Sequence, residues 1–526
     1  MSTTIFSSRI LDGWGMTGIK ASLLFTCVST LLAVACLRLV IKWLRICWIL
    51  RNAPRPPQRW PFSLLLEIPL AFARMDPKLH ITAKIYNYTK EMFPKIIDQD
   101  VTVAFYGPQP FLVGVTPMAM EAILKSTSNL NKSFIYQMMR PWVGNGILIS
   151  DKGVWKPRRK MMTPAFHFRT LEDYIPIMNR RAEEMVHDIA ATIELEKTFF
   201  DVRPIVRRAA FAILFETSMG VEIDKEEVER MRLLEITEEL SASIVARAAN
   251  ILHWPDFIYN LTKENREFLA NIKRVQTYNN QIVKQRKADY ETGIGDEKLK
   301  KSFLDILLRL HIEEGILTEQ EVRDEVSSIF IGGFDTTATA ASFCLYLLGH
   351  HPEVQKKVHE EMDEVFGDDW ERPVTLDDIK RLKYTECVLK ESMRIYPAVP
   401  LLARMIDEDI KIGEQTIPKG TVALALIFYV HRHPKYFENP DVFMPERFLE
   451  TKNRHPFQFV PFSAGPRNCV GQKFAQFEEI ILLTQVMRRY KVESKVPMEK
   501  LQLAFEIVLT APEGLELKFT PRERPA

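Results

Sequence analysis

Nothing in this chain pairs its cysteines. There are six among 526 residues, at Cys27, Cys36, Cys47, Cys344, Cys387 and Cys469, with no C-x-x-C pair. Spacing this wide excludes the dense disulfide framework of small secreted domains, and the six read as reduced thiols facing the cytosol. An excess of either charge is missing too: 70 basic residues against 68 acidic ones leave a formal net charge of +2, so no global field recruits nucleic acid. Internal repeats and low-complexity segments are absent, as are lipidation and retrieval motifs. What is present is 46% hydrophobic and 26% charged residues, a balance that excludes a disordered or collagenous chain and allows a sizeable core.

Long apolar runs are equally scarce, and the single one is near the N-terminus. Ala21 to Leu37 is uncharged and mostly apolar, and Arg38 interrupts it only briefly before Leu39, Val40 and Ile41. To Ile41 it reaches the roughly 20 residues a helix needs to cross a bilayer, with Arg38 able to snorkel. Ala33-Val34-Ala35 resembles a signal-peptide cleavage site. Against that, Arg38, Lys42, Arg45, Arg51, Arg55 and Arg59 all follow the run, while only Arg9 and Lys20, with Asp12, precede it. Positive residues stay cytoplasmic, so an uncleaved single-pass anchor with a cytosolic C-terminal part is expected. The expected division is a lumenal segment 1–20, an anchor 21–41, a basic, proline-rich linker 42–61 and one body 62–526.

That body reads as mainly α with a minor β part. Two β-prone runs between Val101 and Val115 flank Gly107-Pro108-Gln109-Pro110 and predict a hairpin. An acidic, capped start at Thr318 predicts one long buried helix to Gly349, about 48 Å at 1.5 Å per residue and enough to cross the whole domain. Pro352 opens another helix to Phe366, and a further one is expected from Leu376 to Tyr396, before short strands near Val399–Met405 and Thr421–Ile427.

Four clusters carry chemistry. Phe462-Ser463-Ala464-Gly465-Pro466-Arg467-Asn468-Cys469-Val470-Gly471 runs into an amphipathic helix starting near Gln472. Two glycines and a proline bend such a loop close beneath a flat cofactor, and a thiolate at a helix N-terminus gains from the free amides there. Arg467 offers a cation to a cofactor carboxylate, and Phe462 can shield the sulfur. Gly332-Gly333-Phe334-Asp335-Thr336-Thr337 sits mid-helix, where paired glycines weaken the helix and leave a groove. Glu391 and Arg394 share a helix face at i, i+3, with Arg447 downstream in Pro445-Glu446-Arg447-Phe448. Trp155 and Arg159 lie at i, i+4, and Arg158 and Lys160 make their neighbourhood basic.

Taken together and in this order, these motifs resemble the cytochromes P-450. F-x-x-G-x-R-x-C-x-G is similar to that family's haem-binding signature, and the resemblance implies a haem-thiolate fold with a long central helix and Cys469 as the axial iron ligand. A thiolate in that position pushes electron density into the iron and favours O–O cleavage. The resemblance further implies a structural Glu391–Arg394–Arg447 network, propionate partners Trp155, Arg159, Arg404 and Arg467, and an acid-alcohol proton relay of Asp335 and Thr336. Arg158-Arg159-Lys160-Met161-Met162-Thr163-Pro164 and Phe462-Ser463-Ala464-Gly465 bring it closer to family 4, the fatty-acid hydroxylases. Two departures stand out: Gly332 replaces the glutamate that attaches haem covalently in many family-4 members, and Phe334 replaces a histidine. Haem b held non-covalently is therefore expected.

No G-x-G-x-x-G or flavin-binding segment is evident. The implied activity is insertion of one oxygen atom of O₂ into a lipophilic substrate, with NADPH electrons from a separate reductase docking near Arg158, Arg159 and Lys160, and cytochrome b5 as a second candidate donor. The implied location is the endoplasmic reticulum membrane, with a role in lipid metabolism. The rival readings are a haem-thiolate isomerase or dehydratase that consumes no O₂, a haem sensor and a membrane scaffold.

Overall fold

In the computed structural model, which describes residues 18–54, 70–106, 108–166, 168–196, 198–223, 225–292, 302–449 and 454–523, helices dominate and the strands form four small sheets. The first helix, α1 (Gly18–Ile49), carries the apolar run, and Leu23–Asn52 is long and apolar enough to cross a membrane. Leu23, Phe25, Leu31, Leu37 and Leu39 are all exposed. Its end behaves differently. Ile46, Cys47 and Leu50 are buried in one cluster with Val103 and Leu112, and Trp43 Nε1 donates to the Pro108 carbonyl at 2.8 Å. The helix thus runs on into the stretch expected as linker. Residues 55–61 of that stretch, and 1–17 of the expected lumenal segment, lie outside the described residues.

The expected hairpin is β1 (Val101–Tyr106) and β2 (Gln109–Gly114), in register from Val101↔Gly114 to Tyr106↔Gln109. The two later runs form β3 (Leu402–Met405) and β4 (Val422–Ala425). Strand β4 pairs parallel with β2 and antiparallel with β3, so one four-stranded sheet joins distant parts of the chain.

Helices α2 (Lys152–Met162) and α3 (Arg203–Leu214) precede the central helical stretch. That stretch opens with a capping box: Glu321 N donates to Thr318 Oγ1 at 3.3 Å and Thr318 N to Glu321 Oε2 at 2.8 Å. Instead of one helix to Gly349 it forms two, α4 (Glu319–Gly333) and α5 (Asp335–His350), divided at Phe334 with φ −110° and ψ −43°. The physical reason lies on both sides of the break. The glycine pair resists the helix weakly, and the Phe334 ring is fully buried edge-on to Phe211 and Phe330. The predicted helix 376–396 is likewise two, Leu376–Arg381 and α6 (Lys383–Ile395), interrupted at Leu382. Pro352–Phe366 forms as predicted. The last long helix, α7 (Gln472–Arg489), begins where the cysteine loop ends, and its middle is buried on nearly every side.

Candidate functional site

The cysteine loop is shaped by its own backbone. Gly465 adopts φ +71°, and a Cβ there would come within 2.0 Å of the Leu124 carbonyl oxygen, so no other residue fits. Cys469 N donates to Phe462 O at 3.0 Å and Asn468 N to Gly465 O at 3.1 Å, which closes the loop just before α7 starts. Burial pushes the Cys469 thiol up, while the Gly471 amide and the Arg159 guanidinium pull it back down. The sulfur is accessible although it lies deep in the protein, because its free surface faces an internal cavity of about 260 Å³.

Opposite groups complete that cavity. The end of α4 contributes Gly332 and Gly333, α5 contributes Thr336, α2 contributes Trp155 and Arg159, and the loop itself contributes Phe462 and Arg467. A Cβ at Gly332 would meet nothing within 4 Å, whereas one at Gly333 would collide with Leu214. The first glycine leaves open space and the second admits a neighbour. Thr336 Oγ1 donates to Gly332 O at 3.0 Å, so the hydroxyl rests on the groove it borders.

Along one wall three cations crowd together: Lys132, Arg404 and Arg467. Burial lowers all three, each repels at least one of the others, and Arg467 is brought down to about 9. No carboxylate pairs with them among the described residues. Arg467 keeps Nε and Nη1 without a partner; its Nη2 donates to Ser150 O, and its guanidinium stands 4.8 Å over the Trp155 ring. Arg404 Nη1 reaches only its neighbour's carbonyl, Ala403 O, at 3.2 Å. Buried, unpaired positive charge is expensive unless an anion arrives. A planar group with two carboxylates and a metal axis toward Cys469 fits this donor set, and haem is such a group. Lys132 carries no motif and sequence reasoning missed it; it reaches the cavity through an isolated bridge to Arg404.

Arg159 departs from expectation. Rather than joining the cation cluster, it donates from Nη1 to Asn468 O at 2.8 Å and from Nη2 to Asn468 Oδ1 at 2.9 Å, fastening the residue next to the sulfur. Asp335 departs further: it does not line the cavity. Its carboxylate accepts from Arg207 Nε at 2.9 Å, and Arg207 also meets Glu238 at 2.6 Å. Only Thr336 of the expected pair faces the groove. The expected basic docking face changes as well, because Arg158 is buried against Glu321 and Glu325, and Lys160 alone remains exposed.

Beneath the site, Glu391, Arg394 and Arg447 meet. Glu391 Oε2 accepts from Arg394 Nε at 2.8 Å, and Oε1 accepts from Arg394 Nη2 at 2.8 Å, Arg447 Nε at 2.9 Å and Met444 N at 3.0 Å. Glu391 and Arg394 are wholly buried.

Comparison with known proteins follows the same outline. A family model described as Cytochrome P450 matches residues 54–519. Cytochrome P450 4V2 of Mus musculus is 40% identical over 429 residues, covering 79% of this chain and 81% of its own length. Cytochrome P450 4c3 of Drosophila melanogaster is 36% identical over 79% of this chain and 81% of its own length. Cytochrome P450 4V2 of Homo sapiens is 36% identical, with 82% and 86% covered.

Proposed function

The chain belongs to the cytochrome P450 family and is a haem monooxygenase, and from that premise we propose that it hydroxylates a lipophilic substrate of the fatty-acid class with NADPH electrons from a separate reductase. The observation that carries this reading is the accessible Cys469 sulfur sharing a cavity with three unpaired cations and a glycine-lined groove. Haem, when bound, supplies the activation of O₂, one atom of which enters the substrate while the other leaves as water.

The chain's own residues do the rest. Cys469 would ligate the iron of bound haem, and the Arg159 bonds to Asn468 hold its loop in place. Lys132, Arg404, Arg467 and Trp155 would hold the propionates, whose negative charge would offset the crowded cations. Phe462 shields the sulfur from water. Gly332 keeps the groove clear beside Thr336, whose Oγ1 turns from the Gly332 carbonyl to present a proton there. Exposed Lys160 and Lys473 offer an electron donor positive charge. The N-terminal helix serves as a single-pass anchor in the endoplasmic reticulum membrane, with the catalytic body in the cytosol.

Two measurements test this together. The reduced carbon monoxide complex should show the red-shifted Soret band of thiolate ligation, absent in Cys469→Ser. With added reductase, NADPH and O₂ consumption should accompany a hydroxylated product from a fatty-acid mixture. An intact band without O₂ consumption would transfer the chain to isomerase or dehydratase chemistry, and loss of haem binding would remove the reading altogether.

A further inference from the structure

Asp335, turned from the main cavity, borders a second and smaller pocket. Asp335, Ala338, Thr339 and Ser342 recur at helical spacing and line it from the face of α5 opposite the groove. The pocket has a volume of about 20 Å³, which suffices for one water molecule. Ser342 Oγ is buried there with no hydrogen-bond partner, as expected where a water completes the site.

Its charges do not balance. Four carboxylates, Asp201, Glu238, Asp335 and Glu506, face two guanidiniums. Arg203 is committed to Asp201 at 2.8 Å. Arg207 is shared between Asp335 and Glu238, with Glu235 acting on it from further away. Glu506 pairs with no cation among the described residues. Full ionisation would crowd more negative than positive charge around the half-buried Glu506 and Glu238, which favours a proton on the pocket. In keeping with this, burial together with Glu238 and Asp335 pushes Glu506 up to about 7, and burial raises Glu238 as well.

A hydrogen-bonded path leads out from Glu506. Thr82, fully buried at the start of the helix Ile81–Ile96, donates from Oγ1 to Glu506 Oε1 at 3.4 Å. The same hydroxyl lies 2.9 Å from His80 Nδ1. His80 is exposed and borders a wide surface cavity. Its ring is partly covered, and that partial burial lowers its pKa, which favours release of a proton once bound.

We propose that Glu506, Glu238 and Asp335 store a proton for oxygen reduction, refilled from solvent by His80 through Thr82 and emptied through Asp335 into Thr336. The proposal rests on the monooxygenase reading, since that chemistry consumes protons along with electrons. The exposed His80 ring, whose Nδ1 at rest accepts from the Thr82 amide at 3.4 Å, swings out to take a proton from water at Nδ1, returns and releases it to Thr82 Oγ1, whose own proton passes to Glu506. The Glu506 proton crosses the pocket water to Asp335. Rotation of that side chain away from Arg207 carries it to Thr336 Oγ1, which hands its own proton to the groove, and every group ends as it began.

The test uses full-length holoenzyme with reductase and NADPH. The infrared difference spectrum of wild type minus Glu506→Gln, both ferric and at neutral pH, should show a protonated-carboxyl band that shifts in D₂O, the bands of other buried carboxyls such as Glu478 and Glu479 cancelling. In that variant the carbon monoxide spectrum should be unchanged while product formed per NADPH falls about tenfold, less than the ~10²-fold typical of a proton-transfer group because bulk water remains a slower source. Thr82→Val should lose coupling similarly, with a larger solvent isotope effect, and Thr82→Ser should restore it. A wild type that forms no oxygenated product sinks the monooxygenase reading. A wild type that does, with Glu506→Gln equally coupled or no such difference band, sinks the proton store alone.

Discussion

Replacing Glu391 by glutamine changes one atom at the most tightly held carboxylate of the site. Both carboxylate oxygens accept: Oε1 takes three donors and Oε2 takes Arg394 Nε. Glutamine can keep its oxygen on the three-donor side, but its amide then points N–H groups at Arg394 Nε, donor against donor. Arg394 retains the carbonyls of His431, Pro440 and Val442, so what is lost is the anion between two buried guanidiniums rather than every bond they make. Breaking one partner of a buried ion pair costs about 3–5 kcal/mol, and that is the expected fall in unfolding free energy for Glu391→Gln. Guanidinium denaturation of the holoenzyme, followed by Soret absorbance and far-ultraviolet dichroism, would measure it. A loss below about 1 kcal/mol, within the range of an exposed pair, would refute the assignment of this network as a buried electrostatic joint.

Lys132→Met should speed haem transfer to an acceptor globin by about tenfold, because one charge-assisted bond worth roughly 1.5–3 kcal/mol is removed; an unchanged rate would mean that Lys132 does not touch a propionate. Acid and organic solvent should release all haem free of polypeptide, since Gly332 has no carboxylate to attach it, and intact-mass detection of a haem adduct would contradict this. Thr336→Ala should bind haem normally but divert NADPH oxidation towards peroxide or water; full coupling would dismiss the hydroxyl as a proton carrier. Burial raises Glu325 from 4.5 to about 7, so the folded state binds the extra proton. Its stabilising contribution is complete below about pH 4.5 and is lost as pH rises through 7. Glu325→Gln should flatten that decline in a pH series of denaturation curves, and an identical slope would rule the shift out.

The cysteine loop was legible in advance because its geometry is local: glycine at 465 is demanded by a backbone contact that a nearby turn makes, and the motif carries that demand. The Glu391 network was legible for the same reason, through i, i+3 spacing and a second short motif. Lys132 was not, since its place depends on pairing with Arg404 across a sheet contact no local pattern encodes. Which of Asp335 and Thr336 lines the cavity was not legible, because adjacent helical residues point about 100° apart and only the packing of α3 against α5 decides which of the two meets it. The glycine pair marked a weak point in the long helix, but not that it divides at Phe334, because an apolar residue looks like continuation. It is the aromatic cluster with Phe211 and Phe330 that holds the ring there.

The seated end of α1 bears on how this enzyme can be cut. Removing everything before Pro54 to gain solubility would take away Ile46, Cys47 and the wholly enclosed Leu50, which together roof Val103 and Leu112. Each large apolar side chain so lost forfeits roughly 1.5–3 kcal/mol of burial, and the newly bared strand surface would invite aggregation of the trimmed protein. A cut ahead of Trp43 spares both the roof and the Trp43 bond to Pro108. The same seating makes the joint stiff, so a body held by this helix cannot swivel freely beneath it, and the tilt at which it meets a lipid surface is set by the protein rather than by chance.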